Sequence, residues 1–296
     1  MKKKLILFLL ILLISQFVHS EQKRIDKNVI DKHYGYLEVG CGYYSLLEQF
    51  DDLTTKGGFS AHFGGGYEFR YSYLWTSVGL QVDYWSSTAS TREYLMDQRM
   101  LDTQGKPIFY HFSIDPSTET SYGLYAYVPV LIGFHVNGFY IGAGAKFGYS
   151  IFAKNKILRT YSTSATYEQY IADFIDMPNH SYANYEATNK EKLNIKIPLN
   201  LALELGYDVL ANYSYSSYSR DKVLKIGLYA EYGLLNAFSN EKDDALFAPN
   251  QQHPSQLEVF SYYNHKATQH YRVVPFNAGL KVTIMFRIPT SSCNCK

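Results

Sequence analysis

Beyond its first twenty residues this chain has no apolar run long enough to cross a bilayer as a helix, which takes about 20 consecutive apolar residues. Charge of one sign is missing too. The 28 Lys and Arg stand against 27 Asp and Glu, a formal net charge of +1 with no basic stripe, which argues against nucleic acid as a partner. Cysteine is scarce: Cys41, Cys293 and Cys295 are an odd number without regular spacing, so no disulfide framework is written here. Cys293 and Cys295 have no further metal-ligating side chains beside them and read as thiols on a tail. His253, His265 and His270 share one loop without metal-site spacing and read as solvated residues. No cofactor and no metal site is expected.

What the chain does have is aromatic residues in quantity, 29 Tyr and 18 Phe, laid out with a period of two. Residues 1–20 come first and are a different kind of segment. Lys2, Lys3 and Lys4 precede an apolar stretch from Leu5 to Leu13, and Val18-His19-Ser20 offers a cut ahead of Glu21, the pattern of a cleaved secretory signal. Ser15 and Gln16 interrupt the run, and no Cys follows it for lipid attachment. Residues 21–33 read as a short charged lead, 34–288 as the folded part, and 289–296 as a tail.

Eight strand-like runs follow, each apolar at every second residue. The first, 34–45, sets Leu37, Val39, Cys41 and Tyr43 against Glu38, Gly40, Gly42 and Tyr44. The second sets Phe59, Ala61, Phe63, Tyr67 and Phe69 against His62, Gly64, Gly66, Glu68 and Arg70, and the third sets Leu74, Val78, Leu80, Val82 and Tyr84 against Ser77, Gly79, Gln81 and Asp83. The fourth carries Leu124 to Phe134 at even positions, and Asn137-Gly138, a strong hairpin signal, leads into Phe139, Ile141, Ala143, Ala145, Phe147 and Tyr149. The sixth alternates Leu193, Ile195, Ile197, Leu199, Leu201, Leu203, Leu205 and Tyr207 with Lys192, Asn194, Lys196, Asn200 and Glu204. The seventh sets Leu224 to Leu234 against Lys225, Gly227, Tyr229 and Glu231. The eighth sets Val274 to Phe286 against Asn277, Gly279, Lys281 and Thr283.

In every run one face is free of charge, because lipid-facing and lumen-facing residues alternate along a membrane-spanning strand. Long connections, at 86–121, 151–190 and 236–270, alternate with short ones, which puts short turns at one end and long loops at the other. The prediction is an all-β, transmembrane, up-and-down antiparallel barrel of eight strands with long extracellular loops. A soluble ligand-carrying barrel would place apolar residues inside instead, leaving the charged face in water.

An eight-stranded barrel is just wide enough for its side chains to fill. The inward faces supply Glu38, Glu68, Asp83, Glu204 and Glu231 against Arg70, Lys146, Lys196, Lys225 and Lys281, a polar network expected to neutralise itself, since unpaired buried charges are costly. A narrow channel or small-ligand carrier is the alternative reading of the same residues. Inward glycines such as Gly142 and Gly144 relieve crowding on the concave face. Pro129, Pro198 and Pro275, each between apolar residues of a run, predict bulges or rim positions. Tyr34, Trp75, Tyr84, Trp85, Tyr140 and Tyr207 lie near run ends and suit interfacial aromatic girdles.

With a filled lumen, specificity belongs to the loops. Residues 165–175 read as a short helix with Tyr167, Tyr170, Ile171, Phe174 and Ile175 on one face, ended by Met177-Pro178, and form a candidate interaction surface. A hydrolase for outer-leaflet lipid would need a nucleophile and base near a rim. Ser60, His62 and Asp83 are the one grouping on offer, but they face the lumen and no nucleophile motif surrounds Ser60. No catalytic residue is assigned.

The mature chain resembles the PorT-like outer-membrane barrel family of Bacteroidetes. The resemblance is carried by Leu37-Glu38-Val39-Gly40-Cys41-Gly42, the run from Tyr125 to Gly133 with its central Pro129, and Gly142-Ala143-Gly144. It is carried further by Ile226-Gly227-Leu228-Tyr229-Ala230-Glu231-Tyr232-Gly233 and Asn277-Ala278-Gly279-Leu280-Lys281-Val282. It implies an integral outer-membrane location in a Gram-negative cell, porin-like architecture and no enzymatic activity. Outer-membrane lipid would be a partner, and since some relatives assist type IX secretion, envelope or secretion proteins would be others. Unlike barrels that end on an aromatic residue, this chain runs on from Arg287 to Lys296 after Phe286.

Overall fold

The computed structural model describes residues 32–47, 53–101, 105–167, 182–209, 222–239, 247–250, 256–264 and 272–288. The signal segment, most of the charged lead, the tail with Cys293 and Cys295, and His253, His265 and His270 lie outside the described residues.

Thirteen strands are described: β1 (Lys32–Leu47), β2 (Leu53–Tyr71), β3 (Leu74–Thr91), β4 (Tyr94–Leu101), β5 (Pro107–Ile114), β6 (Thr118–Val136), β7 (Phe139–Tyr167), β8 (Tyr182–Lys192), β9 (Leu199–Asp208), β10 (Lys222–Gly233), β11 (Phe247–Pro249), β12 (Leu257–Val259) and β13 (Val274–Arg287). Eight of them, β1, β2, β3, β6, β7, β9, β10 and β13, form a ring in that order, every pair antiparallel. The ring closes where β13 pairs with β1, from Tyr34↔Arg287 to Leu47↔Val274. This is the eight-stranded up-and-down barrel that the alternation predicts. Its outward positions, among them Leu37, Phe63, Leu80, Ile132, Ile141, Leu203, Leu228 and Leu280, are exposed and apolar around the circumference, the belt of a transmembrane barrel.

Short turns sit together at one end. Ser72 has φ 53°, and Asn137 and Gly138 have φ 52° and 86°, the positive values that a type I′ turn requires at both central positions. A Cβ added to Gly138 would lie 2.8 Å from the Tyr207 ring, so the turn needs glycine for space as well as for conformation.

At the other end the expected long loops 86–121 and 151–190 are largely strand where they are described. β4 continues the line of β3 along β5, with Ser90↔Thr118 followed by Tyr94↔Ile114. β5 and β6 lie end to end along one edge of β7, β5 pairing from Tyr167 to Tyr161 and β6 from Leu158 to Phe139. Thr91 N–H to Ser117 O and Asp115 N–H to Thr160 O, both 2.9 Å, carry the ladder across the break at Pro116. β8 pairs the opposite edge of β7 above β9. Four lines of barrel wall therefore rise past the belt as one continuous sheet.

Two physical reasons hid this sheet from the alternation. A register shift between Leu124 and Tyr125, opposite Ser150 and Phe152, advances β7 by one residue. From there Ala153, Asn155, Ile157, Arg159 and Tyr161 turn inward and the outward positions become Lys154, Lys156 and Leu158. On β3 beyond Trp85 the outward positions are Ser86, Thr88 and Ser90, polar because they have left the belt. The predicted helix at 165–175 is not one where it is described: Ala165 and Tyr167 belong to β7, with Tyr167 paired to Ile108, while Tyr170, Ile171, Phe174 and Ile175 lie outside the described residues.

The prolines divide. Pro275 is at the rim, second in β13, opposite Leu46. At Pro129 the β3–β6 ladder skips Gly79 and Leu80 with no change of register, so a donor is lost without a bulge. Pro198 precedes β9 in a segment that slips phase by one residue: Leu193 is buried and Ile195 half-buried before it, whereas Asn200 is buried after it. That slip moves Lys196 out of the lumen to an exposed position, its backbone N–H donating to Ala237 O at 2.9 Å.

Candidate functional site

Because β-strand side chains alternate, each ring strand sends every second residue into the lumen, and the barrel is filled in layers. Nearest the short turns, Arg70 donates from Nε to Glu68 Oε1 at 2.6 Å and from Nη1 to Asp208 Oδ2 at 3.0 Å. His135 Nε2 lies 2.9 Å from the same Asp208 oxygen. Lys225 donates to Glu68 Oε2 at 2.6 Å, with its ammonium 5.0 Å and 4.7 Å from the ring centroids of Trp75 and Tyr140. Trp75 has room for its indole because Gly142 has no side chain; a Cβ there would stand 2.3 Å from the ring.

In the next layer Lys281 is held between Glu38, at 3.1 Å, and Glu204, to which it also donates. Above it Lys146 donates to Glu231 Oε1 at 2.6 Å and to Gln81 Oε1 at 2.7 Å, while Gln81 Nε2 donates to Asp83 Oδ1 at 2.7 Å. All these groups are buried. Glu38, Glu68, Glu204 and Glu231 each meet a cation here, whereas Asp83 is met by the Gln81 amide and Asp208 Oδ1 has no hydrogen-bond partner among the described residues.

An aromatic layer covers the top of the lumen. Trp85 is stacked between Tyr44, at 5.0 Å, and Tyr125, at 5.5 Å, and Tyr127 meets Tyr125 edge-on. Leu46, Leu193, Phe238, Tyr263 and Val273 complete it. The spaces lined by these lumen side chains hold about 10 Å³ and about 20 Å³, room for one water each. Among the described residues, side chains fill the lumen at both of these levels.

The charged positions expected in the lumen are there except Lys196, and Asp208 joins them. Asp208 follows the even-numbered inward positions Asn200, Ala202, Glu204 and Gly206, so continuing that parity by two residues reveals it. Trp75, Trp85, Tyr34 and Tyr140 correct the girdle expectation: they are buried in the barrel, whereas Tyr84 and Tyr207 do face outward. Trp75 and Trp85 share the parity of Gln81 and Asp83, the signal that places them inside.

Ser60, His62 and Asp83 are neighbours that do not form a relay. Ser60 donates to Asn277 Oδ1 at 2.7 Å, and Asp83 is engaged by Gln81. His62 packs edge-on to Tyr229 at 4.9 Å, with neither ring nitrogen hydrogen-bonded among the described residues.

Above the aromatic layer the rising sheet has interactions of its own. Glu119 on β6 accepts from Asn155 and Ser261 and lies 3.8 Å from Arg159. Glu191 on β8 accepts from the Ser261 N–H at 3.2 Å and from Asn264 Nδ2 at 2.9 Å. These bonds tie the last connection, with its 3-10 turn Tyr262–Asn264, to β6, β7 and β8. Burial pushes the Glu119 carboxyl above the usual carboxylate range, against the pull of Arg159 and the two donors.

Higher still, Ile108, Tyr110, Phe112 and Ile114 of β5 and Ile157, Tyr161 and Ala165 of β7 pack against Phe247, Leu257 and Val259 of the β11–β12 ribbon. Tyr161 Oη accepts the Leu257 N–H at 2.8 Å, and burial raises its phenol above the ordinary value. The sheet thus has an apolar core separate from the barrel, with one face covered by the ribbon. This is the feature the sequence reading missed. Its signal is the alternation of Ile108, Tyr110, Phe112 and Ile114 with His111 and Ser113, which the burial of β5 follows.

No family model matches the chain, and a search of curated proteins finds no significant match. Among solved structures it is similar to Neisserial surface protein A, at 10% identity and TM-score 0.27, over 85% of this chain and 97% of that one. It is similar to the attachment invasion locus protein Ail of Yersinia pestis, solved with a heparin analogue, at 9% identity and TM-score 0.27, over 85% and 99%. It is also similar to CarO2 of Acinetobacter baumannii, at 11% identity and TM-score 0.26, again over 85% and 99%. At scores this low the likenesses add nothing to the architecture, which the closed ring of strands establishes by itself.

Proposed function

We propose that this protein is an integral outer-membrane barrel of a Gram-negative envelope that serves as a rigid anchor, and that its work is protein interaction at the cell surface. The observation that carries this reading is a contrast between the two halves of the molecule. The lumen is filled by paired charges and capped by stacked aromatics, while four lines of barrel wall continue beyond the belt into a sheet with its own core. A fold that extends its wall this far into water has surface to offer there and none inside. A role in secretion or envelope assembly, as the resemblance to PorT-like barrels implies, fits the same surface. The reading assigns no catalysis, and the separate engagement of Ser60, His62 and Asp83 supports that.

The test uses the intact protein in cells, with a photo-crosslinking residue in place of Leu95, Leu101 or His111 on the exposed face of the sheet. Reproducible capture of a protein supports the reading. Capture of lipid alone, or steady conductance of the purified barrel in a planar bilayer that is altered by Lys146→Met, would overturn it.

A further inference from the structure

Strand β4 is an edge of the rising sheet. Its neighbour on the other side within the barrel wall would be β2, whose described residues reach Leu53, opposite Thr91, short of β4. Among the described residues no strand pairs with the outer edge of β4. Such an edge presents a row of backbone donors and acceptors.

The sequence of that edge is self-complementary. Leu95-Met96-Asp97-Gln98-Arg99-Met100-Leu101 reads the same in both directions about Gln98, except that Asp97 on one side is answered by Arg99 on the other. Laid antiparallel on a second copy and centred on Gln98, Leu95 faces Leu101, Met96 faces Met100, and Asp97 faces Arg99, twice each. The faces agree as well. Leu95, Asp97, Arg99 and Leu101 are on the exposed side, whereas Met96 and Met100 are half-buried against the apolar core of the sheet. Joining two copies would therefore extend the exposed ion pairs on one side and the methionine-lined core on the other.

The register is specified too. Sliding the pair by two residues in one direction sets Arg99 against Arg99, and in the other sets Asp97 against Asp97. Sliding by one residue turns the methionines to the wrong face. Within one chain Asp97 is 2.7 Å from His111 Nδ1 and the Arg99 guanidinium lies 5.8 Å from the Phe109 ring centroid, so both charges are held on the exposed face. Leu95 and Leu101, 71% and 68% exposed, stand on that face above the belt.

We propose that β4 is the seam of a homodimer, in which two copies of this chain join their sheets by antiparallel strand addition. The inference rests on the reading of the sheet as the interaction surface and names its partner. The two-fold axis of such a pair stands perpendicular to the sheet. Because the sheet continues the barrel wall, that axis is perpendicular to the barrel axis, and the two barrels point away from each other. The seam thus joins two apposed membranes, not neighbours in one membrane. A single edge of eight residues is small beside the roughly 1,200–2,000 Å² of a stable interface, so each contact is weak and many copies act together.

The experiment uses the full-length protein with Cys41, Cys293 and Cys295 replaced by Ser, in two populations of lipid vesicles carrying different dyes. Residues directly opposite across antiparallel strands have Cα atoms about 4.5–5.5 Å apart, within disulfide reach. Oxidation of the Gln98→Cys variant is expected to give a covalent dimer and to link vesicles of the two colours. Leu95→Cys alone should not, since six residues separate it from its own copy, about 20 Å along the strand; mixed with Leu101→Cys it should. Adding Asp97→Arg to Gln98→Cys is expected to lower the dimer yield at least tenfold, and adding Arg99→Asp as well to restore it. Retained heat-modifiable mobility shows that each variant is folded.

No dimer from Gln98→Cys, equal yield from Leu95→Cys alone, or no rescue by the exchanged charges would overturn the seam. Dimers confined to single vesicles would overturn the apposed-membrane geometry. A photo-crosslinker at Leu101 separates the two levels of inference: capture of a different protein in cells overturns the homodimer and leaves the interaction reading standing, whereas no protein capture overturns both.

Discussion

Replacing Lys146 by Met tests whether the lumen charges are a structural plug. Lys146 is buried, with Nζ 2.6 Å from Glu231 and 2.7 Å from Gln81. Removing the ammonium leaves a carboxylate without its counter-charge in a lumen with space for single waters only. Breaking a buried pair in this way costs about 3–5 kcal/mol. Replacing both partners, Lys146→Met with Glu231→Met, removes the Glu231 charge. What then remains is Gln81 Oε1, at about 1–3 kcal/mol, and the buried Asp83, whose charge Lys146 also offsets. The double variant is therefore expected to be more stable than Lys146→Met alone, a coupling visible only if the two groups are a pair. The assay is reversible urea unfolding of the protein in lipid vesicles. Trp75 in the lower lumen and Trp85 in the aromatic layer, both buried, serve as the reporters. A single-variant cost below about 0.5 kcal/mol, the range of surface substitutions, would refute the reasoning. So would a double variant whose loss equals the sum of the singles.

Other expectations follow from the same geometry. Lys196→Ala should stay within about 0.5 kcal/mol of the parent in that assay, because Lys196 is exposed, and a loss as large as that of Lys146→Met would return it to the lumen. Gly138→Ala should cost about 1–2 kcal/mol and slow hairpin closure, since its φ of 86° and the nearby Tyr207 ring both oppose a Cβ; an unchanged unfolding midpoint would count against the turn. Glu119 carries a pH dependence. Its folded-state pKa is raised above the unfolded one, so its contribution to stability is full below the ordinary carboxylate range, near 4.3, and is lost as pH rises through the folded value. Amide exchange at Ser261 and Tyr262, corrected for intrinsic rate, should show less protection at pH 8 than at pH 5, and Glu119→Gln should flatten the difference. Equal slopes in the two proteins would rule out Glu119 as the origin.

How much of this was legible in the chain depends on where burial is one-sided. In the belt every strand meets lipid on one face, so Leu37 and Glu38, or Leu203 and Glu204, announce their sides without any knowledge of neighbours. Beyond the belt that contrast disappears. Ser86, Thr88 and Ser90 face water, the shift near Ile151 reverses the phase of β7, and a real sheet reads as loop. Lys196 failed for a related reason: its apparent parity runs unbroken from Leu193 to Leu205, but the chain slips by one residue ahead of Pro198, where no ladder donor exists to hold register. For Trp75 and Trp85 residue type points to a girdle whereas parity points inside, and parity decides because the closed ring leaves room for the indoles beside glycines.

By itself the sequence determined the ring, because period-two apolarity, Asn137-Gly138 and the order of connections are local facts that any eight-stranded closure must satisfy. It also supplied most of the charges that pair in the lumen, although with Lys196 outside and Asp208 inside six buried carboxylates face four buried cations. Only the tertiary structure decided which carboxylate each cation meets, since Glu38 and Glu204 come to Lys281 from different strands and their approach depends on stagger around the closed ring. It alone showed that β3, β6 and β7 keep pairing beyond the belt and that, among the described residues, β4 is left as an edge. The palindrome of β4 is written in the chain, but it acquires meaning only where, among the described residues, no strand pairs with the outer edge of β4.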